Sequence, residues 1–182
     1  MPVYVSMLRG INVGPHKRIK MEKLRQSFEG LGFQQVATYI QSGNVVFKTA
    51  KSSSSPLSKK IEERLLEDFG FSIQVVSRTA EEMIATVAGN PFVKQSGIDA
   101  ERLHVMFLSD IPAAVGLKKF SELTTPPEQL HCAGKAIYLY LPNGAGESKL
   151  MRAPLDRILS ATATARNWRT VNQLAQMCRD CA

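Results

Sequence analysis

With 182 residues, 44% hydrophobic and 21% charged, the chain has an ordinary globular composition, which excludes intrinsic disorder and allows one compact domain or two small ones. The apolar run at residues 3–8 has no basic region ahead of it and is too short for a signal peptide or a membrane span, so we expect a cytoplasmic protein with no membrane partner. The net charge of +7 is concentrated at the two ends: residues 1–50 carry seven Lys/Arg and two Asp/Glu, and residues 146–182 carry six and three.

The predicted elements begin with a strand at residues 3–8, a short apolar run rich in Val, Tyr and Met. A helix follows, because apolar residues recur at spacings of three and four as far as Gly32; they are Met21, Leu24, Phe28 and Leu31. Residues 39–47 predict a β-hairpin, since two apolar runs flank Gln41-Ser42-Gly43-Asn44, small polar residues that accept the backbone angles of a tight turn.

A soluble loop at residues 51–55 precedes a second helix, which Pro56 opens and Gly70 ends. Residues 72–76 then supply a fourth strand. A βαββαβ order with one hairpin and two right-handed crossovers is the split-βαβ, ferredoxin-like plan, with strands in the spatial order 4-1-3-2. The strands are apolar on both faces, so we expect the second face of this sheet to be covered by the other half of the chain.

In that topology the end of strand one lies beside the start of strand three, which places residues 9–14 against the hairpin turn. The candidate ligand-binding residues at this edge are Arg9, Asn12, Ser42 and Asn44. A guanidinium, amide donors and the backbone N–H groups of two glycine-containing turns suit a phosphate or a carboxylate. The alternative is that these residues only build turns, with glycine for positive φ and Asn and Ser for local hydrogen bonds.

Thr79 and Glu82 form a capping-box pattern that opens a connecting helix, which ends at Gly89. The first pattern then repeats in a degenerate form: a strand at 102–108, a helix at 112–123, strands at 128–132 and 136–141 around a turn at 133–135, and a helix at 150–159. A short sixth element is expected within 161–165, followed by a C-terminal helix capped by Thr170 and Gln173.

The expected fold class is therefore α+β, with duplicated ferredoxin-like (βαββαβ) halves packed together and an added C-terminal helix. We expect the first half at residues 1–78, a helical connector at 79–100, and the second, degenerate half with the C-terminal helix at 101–182. A strand and helix pattern that recurs along a chain is the sequence signature of such a duplication.

Two polar motifs stand out in the second half. A glycine-rich loop follows a strand and precedes a helix, so Ser148, Lys149 and backbone N–H groups make a candidate anion pocket, with a plain loop as the equal alternative. The spacing is that of neither a P-loop nor a dinucleotide fingerprint, and the sequence predicts no cofactor and no metal site. Arg166 and Asn167 either join a ligand site or tie down the last helix. Trp168 is expected to anchor the core, and the less favoured alternative is a platform on which a ligand stacks.

The cysteines indicate no catalytic chemistry. Cys132, Cys178 and Cys181 leave one thiol unpaired in any intramolecular disulfide scheme, so we expect reduced thiols. Cys178 and Cys181 have the spacing of a redox pair, but a position at the end of a helix disfavours the thiolate. No catalytic residue is assigned.

At these motifs the chain resembles the bacterial domain-of-unknown-function family 1697. The resemblance is carried by residues 9–14, 39–47, 148–150 and 164–168, and it runs over nearly the whole chain. It implies a duplicated α+β, ferredoxin-like architecture and no known activity. The chain departs from the family motif where Gly14 is followed by Pro15-His16-Lys17 in place of a second glycine.

Two functional hypotheses from different classes follow. The first is a binder of an anionic ligand, a nucleic acid or another phosphate-containing molecule, that uses the basic ends and the hairpin edge. The alternative is an enzyme acting on a small phosphorylated or carboxylated substrate, with Arg9, Asn12, Asn44 and Arg166 as anion holders. The sequence favours the first because no general base can be named, although strand three lacks the exposed aromatic pair of an RNA-recognition sheet. A basic excess is also compatible with a merely soluble surface.

Overall fold

The computed structural model describes residues 1–50 and 52–182. Within those residues the protein is a mixed α+β fold with two four-stranded antiparallel sheets and seven helices, which confirms the expected α+β class. The chain folds into two compact units. The first unit consists of Met1–Ala85 and Gln173–Ala182, and the second consists of Thr86–Asn172.

The first unit has the order of strands and helices expected from the sequence. Its elements are β1 (Val3–Leu8), α1 (Met21–Gly30), β2 (Gln34–Tyr39), β3 (Asn44–Lys48), α2 (Ser54–Phe69) and β4 (Val75–Thr79). The strand order across the sheet is β2-β3-β1-β4, and β1 is antiparallel to both of its neighbours. The predicted spatial order of the first four strands is therefore confirmed.

Helix α2 starts earlier than the sequence pattern indicated. Ser54 and Ser55 already belong to the helix, so Pro56 lies within its first turn. Backbone N–H groups in the first turn have no acceptor within the helix, so the proline, which lacks an N–H, breaks no hydrogen bond there. The helix ends at Gly70, which takes φ +76° and donates its backbone N–H to Leu66 O at 2.9 Å. Of the predicted loop at 51–55, Lys51 lies outside the described residues.

An aromatic cluster centred on Phe47 forms the core on the helix-covered face of the first sheet. The Phe47 ring centroid lies 4.6 Å from that of Phe33, 5.3 Å from that of Phe28 and 6.1 Å from that of Tyr4. Phe47 and Phe28 are fully buried. The apolar stripes of α1 and α2 close this cluster, with Leu24, Phe28, Ile61 and Leu65 as their innermost residues.

The opposite face of the same sheet is buried as well. Val5 and Met7 on β1 are 0% exposed, and Val46 on β3 is 1% exposed. These residues alternate along their strands with those of the aromatic cluster. The second face of this sheet is therefore covered, as expected, and its coverage by the other half of the chain stays a prediction.

Thr79, the last residue of β4, caps α3 (Ala80–Ala88) with the predicted capping box. Glu82 N donates to Thr79 Oγ1 at 3.1 Å, and Thr79 N donates to Glu82 Oε2 at 2.8 Å.

We expect Thr79→Ala to lower the free energy of unfolding by about 1 kcal/mol, because an N–H of the first turn loses its acceptor. Guanidinium unfolding measures the change, with Thr79→Ser as the matched control that keeps the hydroxyl. An equal loss in both variants would contradict the role of the cap.

The second unit has its own sheet and core. Its elements are β5 (Leu103–Leu108), α4 (Ala114–Ser121), β6 (Gln129–Ala133), β7 (Ala136–Tyr140), α5 (Lys149–Arg152), α6 (Leu155–Leu159) and β8 (Ala163–Asn167), with the sheet order β6-β7-β5-β8. Met106, Phe120 and Leu139 are fully buried in its core. Helix α4 approaches α6 so closely that a Cβ on Gly116 would lie 2.3 Å from Ile158 O.

One predicted helix is two helices in the structure. The expected helix at 150–159 is broken between α5 and α6, where Ala153 is extended with ψ 154° ahead of Pro154. Proline disfavours helical angles in the residue before it, which accounts for the break. The short sixth element is the five-residue strand β8, paired antiparallel with β5.

The last helix, α7 (Trp168–Cys181), begins earlier than its predicted cap. Thr170 N donates to Asn167 Oδ1 at 2.8 Å, so Asn167 is the capping residue and Thr170 lies inside the first turn. The predicted cap of Thr170 and Gln173 is therefore wrong. Asn167 is the last residue of β8 and resembles Thr79 in its position at the junction of a strand and a helix.

Candidate functional site

Three connections of the first unit meet at one edge of its sheet. β1 ends at Leu8, beside the start of β3 at Asn44 and the start of β4 at Val75. Residues 9–20, 40–43 and 70–74 are the connections, and we call them together the loop edge. Leu8 N donates to Gly43 O at 2.8 Å. The structure thus brings the candidate residues of the first half together, as the predicted topology required.

Asn12 holds the first connection in shape. Its backbone has φ +55°, a left-handed conformation that Asn adopts more readily than most residues. Its Nδ2 donates to Ile19 O at 3.0 Å and to Gln41 O at 2.8 Å, and its Oδ1 accepts from Ile19 N at 2.8 Å. The side chain therefore closes residues 12–19 into a loop and fastens that loop to the hairpin turn.

Asn44 and Ser42 have the same kind of role in the hairpin turn. Asn44 is 0% exposed, and its Nδ2 donates to Tyr39 O at 2.9 Å and to Ser42 Oγ at 3.1 Å. Gly43 between them has φ +82°, which glycine adopts without a steric penalty. These contacts agree with the alternative in which the polar residues build the turn.

Arg9 and Lys17 tie the first connection to the third. Arg9 Nη1 donates to Gln74 Oε1 at 3.0 Å, and Lys17 Nζ donates to Ser72 O at 2.9 Å. Both residues still reach the surface, because Lys17 is exposed and Arg9 is partly exposed. The loop edge therefore combines rigid backbone with positive charge.

The loop edge carries cations alone. Its Lys/Arg residues are Arg9, Lys17, Arg18 and Lys20, and the first acidic residue in the chain is Glu22. Lys17, Arg18 and Lys20 are exposed. Within residues 1–50 and 52–182, none of these three forms an ion pair with a carboxylate. Unneutralised charges at one edge produce a positive potential that attracts anions.

The glycine-rich loop of the second unit has a different electrostatic character. Ser148 is 2% exposed, and its Oγ accepts from Leu150 N at 3.2 Å, so it caps α5. Lys149 is exposed and lines a cavity of about 150 Å³ together with Glu128 and Glu147. Arg152 Nη2 lies 3.5 Å from Glu147 Oε2, so this loop combines two cations with two carboxylates and has no excess positive charge to attract an anion.

Arg166 is buried on β8 with 8% exposure. Its Nη1 donates to Thr164 Oγ1 at 2.8 Å and to Ala165 O at 2.9 Å, and burial lowers the pKa of its guanidinium to about 10. The group stays charged at neutral pH and is held by its own strand. Asn167 is exposed and caps α7, so both residues have structural contacts within the second unit.

A second buried arginine, on β4 of the first unit, was not predicted from the sequence. Arg78 on β4 is 5% exposed, donates from Nη1 to Ser77 O at 2.8 Å, and has a pKa lowered by burial. It lies opposite Val5 in the sheet register, as Arg166 lies opposite Val105. The sequence signal that could have predicted Arg78 is an order of features that occurs twice in the chain: an apolar strand, an arginine, a capping residue and then a helix.

The three cysteines lie outside the loop edge. All three cysteines are free thiols, and burial raises the pKa of Cys178 to about 12, which makes it a poor nucleophile.

Along the described chain, the helices are either too short or too polar to cross a membrane.

Comparison with known proteins identifies relatives without an assigned activity. The family model described as "Protein of unknown function (DUF1697)" matches residues 1–138. Among solved structures, the chain is similar to the conserved bacterial protein SP0830 from Streptococcus pneumoniae, with a TM-score of 0.77 and 26% sequence identity over 97% of this chain and 98% of that chain. No curated protein matches the chain.

Proposed function

This chain belongs to the DUF1697 family of proteins of unknown function, and from that premise we propose that it is a non-catalytic binder of nucleic acid or another phosphate-containing polyanion. The binding surface is the loop edge. The observation that carries the proposal is the group of exposed cations Lys17, Arg18 and Lys20, with Arg9 beside them, on a loop that hydrogen bonds hold in shape.

The polar atoms of the loop edge favour an extended anion over a small one. A pocket for a small phosphate needs several donors that converge on one point. Asn12 and Asn44 direct their amide N–H groups to backbone and Ser42 oxygens, and their role in this proposal is to position the loop. The exposed cations then contact successive phosphates and release bound counterions, which is the main source of sequence-independent affinity for nucleic acids.

We further infer that the two halves are ferredoxin-like copies joined by a connector at residues 79–100. The first copy is residues 1–78, and the second, degenerate copy with an added C-terminal helix is residues 101–182. Support comes from the sheet orders β2-β3-β1-β4 and β6-β7-β5-β8, which are the same order in two successive sets of strands. Further support comes from one hydrogen bond in each copy, Leu8 N to Gly43 O at 2.8 Å and Leu108 N to Lys135 O at 2.9 Å. Each bond joins the last residue of the first strand to the residue just before the third strand.

The second copy provides an internal comparison for the charges of the first. Its corresponding connections are residues 109–113, 134–135 and 160–162, which carry one lysine, Lys135, and one aspartate, Asp110. The same edge therefore forms with no net charge in the second copy. The turns do not require Lys and Arg, which supports a function for the cations of the loop edge.

The proposal predicts a change in salt dependence when two of these cations are removed. We expect Arg18→Ala/Lys20→Ala to weaken binding of fluorescein-labelled single-stranded and duplex oligonucleotides and to reduce the slope of log K against log salt by about 2, one for each lost phosphate contact. Fluorescence anisotropy across a salt series measures both quantities.

The matched control is Lys118→Ala/Lys119→Ala on α4, which removes the same charge from two exposed lysines of the second unit. This control should keep the wild-type slope. An equal reduction in both variants would show that net charge alone is responsible and would overturn the loop edge as the site. Absence of oligonucleotide binding by the wild type at low salt would overturn the polyanion hypothesis itself.

A further inference from the structure

A second cavity, of about 340 Å³, lies entirely within the second unit. Its lining residues are Ala100, Glu101, Asn167, Trp168 and Arg169. One wall is the short 3-10 turn Ala100–Arg102, and the other is the start of α7. The volume is at the lower end of the range of about 300–1,000 Å³ that small-molecule pockets occupy.

Trp168 is the residue that makes this cavity unusual. The sequence predicted a core anchor, but the side chain is only partly buried, and it is absent from the buried cluster around Phe120 and Leu139 in the described residues. Its backbone O accepts from Asn172 Nδ2 at 2.8 Å, so the first turn of α7 holds its backbone in place. Trp168 therefore lines the cavity from the first turn of α7, where its backbone is held.

The remaining lining groups supply hydrogen-bond donors and an acceptor around the ring. Asn167 uses its Oδ1 to cap α7, which leaves its Nδ2 as a donor. Arg169 and Glu101 are exposed and contribute a guanidinium and a carboxylate. These opposite charges give the lining no net charge, and together with the indole they suit a planar group that has both donors and acceptors at its edge.

We propose that this cavity binds a nucleobase, stacked on the indole of Trp168 and hydrogen bonded at its edge by Asn167, Arg169 and Glu101. Bases present donors and acceptors in their plane and a π-face above it, and proteins recognise unstacked bases by stacking on aromatic residues and by hydrogen bonds to their edges. The base belongs either to a free nucleoside or nucleotide or to a single strand of nucleic acid. This inference goes beyond the polyanion site, because it requires no phosphate and uses none of the cations of the loop edge.

The composition of the chain makes the test specific. Trp168 is the one tryptophan in the sequence, so intrinsic tryptophan fluorescence reports on this cavity alone. We expect neutral nucleosides, such as adenosine and cytidine, and single-stranded oligonucleotides to quench it in a saturable way. Ribose 5-phosphate and inorganic phosphate should leave the fluorescence unchanged, since they have no base.

Calorimetric titration of nucleosides into variants checks the contacts. Trp168→Ala should weaken binding by about 5- to 150-fold, which is the range for loss of one stacked base, and Trp168→Phe should recover part of the affinity. Arg169→Ala should also weaken binding, whereas Arg157→Ala, an exposed arginine on α6, should not.

Quenching by oligonucleotides without quenching by nucleosides would support a base that is read within a strand, and quenching by nucleosides would support a free ligand. No quenching by either, or equal quenching by ribose 5-phosphate, would overturn the nucleobase pocket. The salt dependence of Arg18→Ala/Lys20→Ala is measured separately, so failure of one proposal leaves the other standing.

Discussion

Replacement of Phe47 by alanine is expected to lower the free energy of unfolding by about 3–5 kcal/mol, the cost of removing a fully buried aromatic ring. Phe47 is 0% exposed, and its ring is stacked on Phe33, with centroids 4.6 Å apart, and edge-on to Phe28, at 5.3 Å. Both partners would border the cavity left behind. Guanidinium unfolding followed by far-ultraviolet circular dichroism measures the change.

Phe71→Ala is the matched control for this variant. Phe71 has the same side chain and packs against the same core, but it is only partly buried and its ring neighbour is Phe69, at 6.3 Å. Its truncation removes less apolar area from the core, so we expect well under half of the loss. Equal losses at the two positions would contradict the central place of Phe47.

Replacement of Gly43 by alanine is expected to cost about 2–5 kcal/mol, because strain and overpacking add at this position. The residue has φ +82°, and an added Cβ would lie 2.6 Å from Ile11 Cδ1 and 2.9 Å from Leu8 Cβ. Ile11 belongs to the connection at residues 9–20 and is buried, so its displacement would also move the cations of the loop edge. Thermal and denaturant unfolding measure the stability, and the salt slope of oligonucleotide binding measures the displacement.

Gly32→Ala separates the cost of backbone strain from the cost of overpacking. Gly32 has φ +81°, almost the angle of Gly43, but an added Cβ there would meet no atom within 4 Å. It should show the strain alone, about 1–2 kcal/mol. The difference between the variants then gives the cost of the close approach, and identical losses would show that the contacts with Ile11 and Leu8 relax freely.

The position of the candidate site could be predicted from the sequence, but the roles of its residues could not. Hairpin and crossover signals were enough to place residues 9–14 beside the hairpin turn, because topology follows from the order of elements. Asn12 and Asn44 were predicted as ligand donors with turn building as the alternative. Their hydrogen bonds to Gln41 O and Tyr39 O belong to the turn-building role, and they depend on a backbone geometry that residue types alone do not specify.

Burial was predicted least well for side chains that are both large and polar. Arg166 was expected to join a ligand site or tie down a helix and is 8% exposed, whereas Trp168 was expected in the core and is partly exposed. Arginine and tryptophan each combine an apolar body with a polar end, so their burial follows from the neighbours that they meet. The sequence pattern contains no direct information about those neighbours.

The sequence by itself determined the local structure: the spacing of Leu24 and Phe28 specifies the inner face of α1, Gly70 ends α2, and Thr79 with Glu82 starts α3. Each of these signals acts between residues a few positions apart, where helical and turn geometry is nearly invariant. Only the tertiary structure decided which polar atoms are left for a ligand. Arg9 meets Gln74 across 65 positions and Asn12 meets Gln41 across 29, and such contacts exist only after the chain has folded.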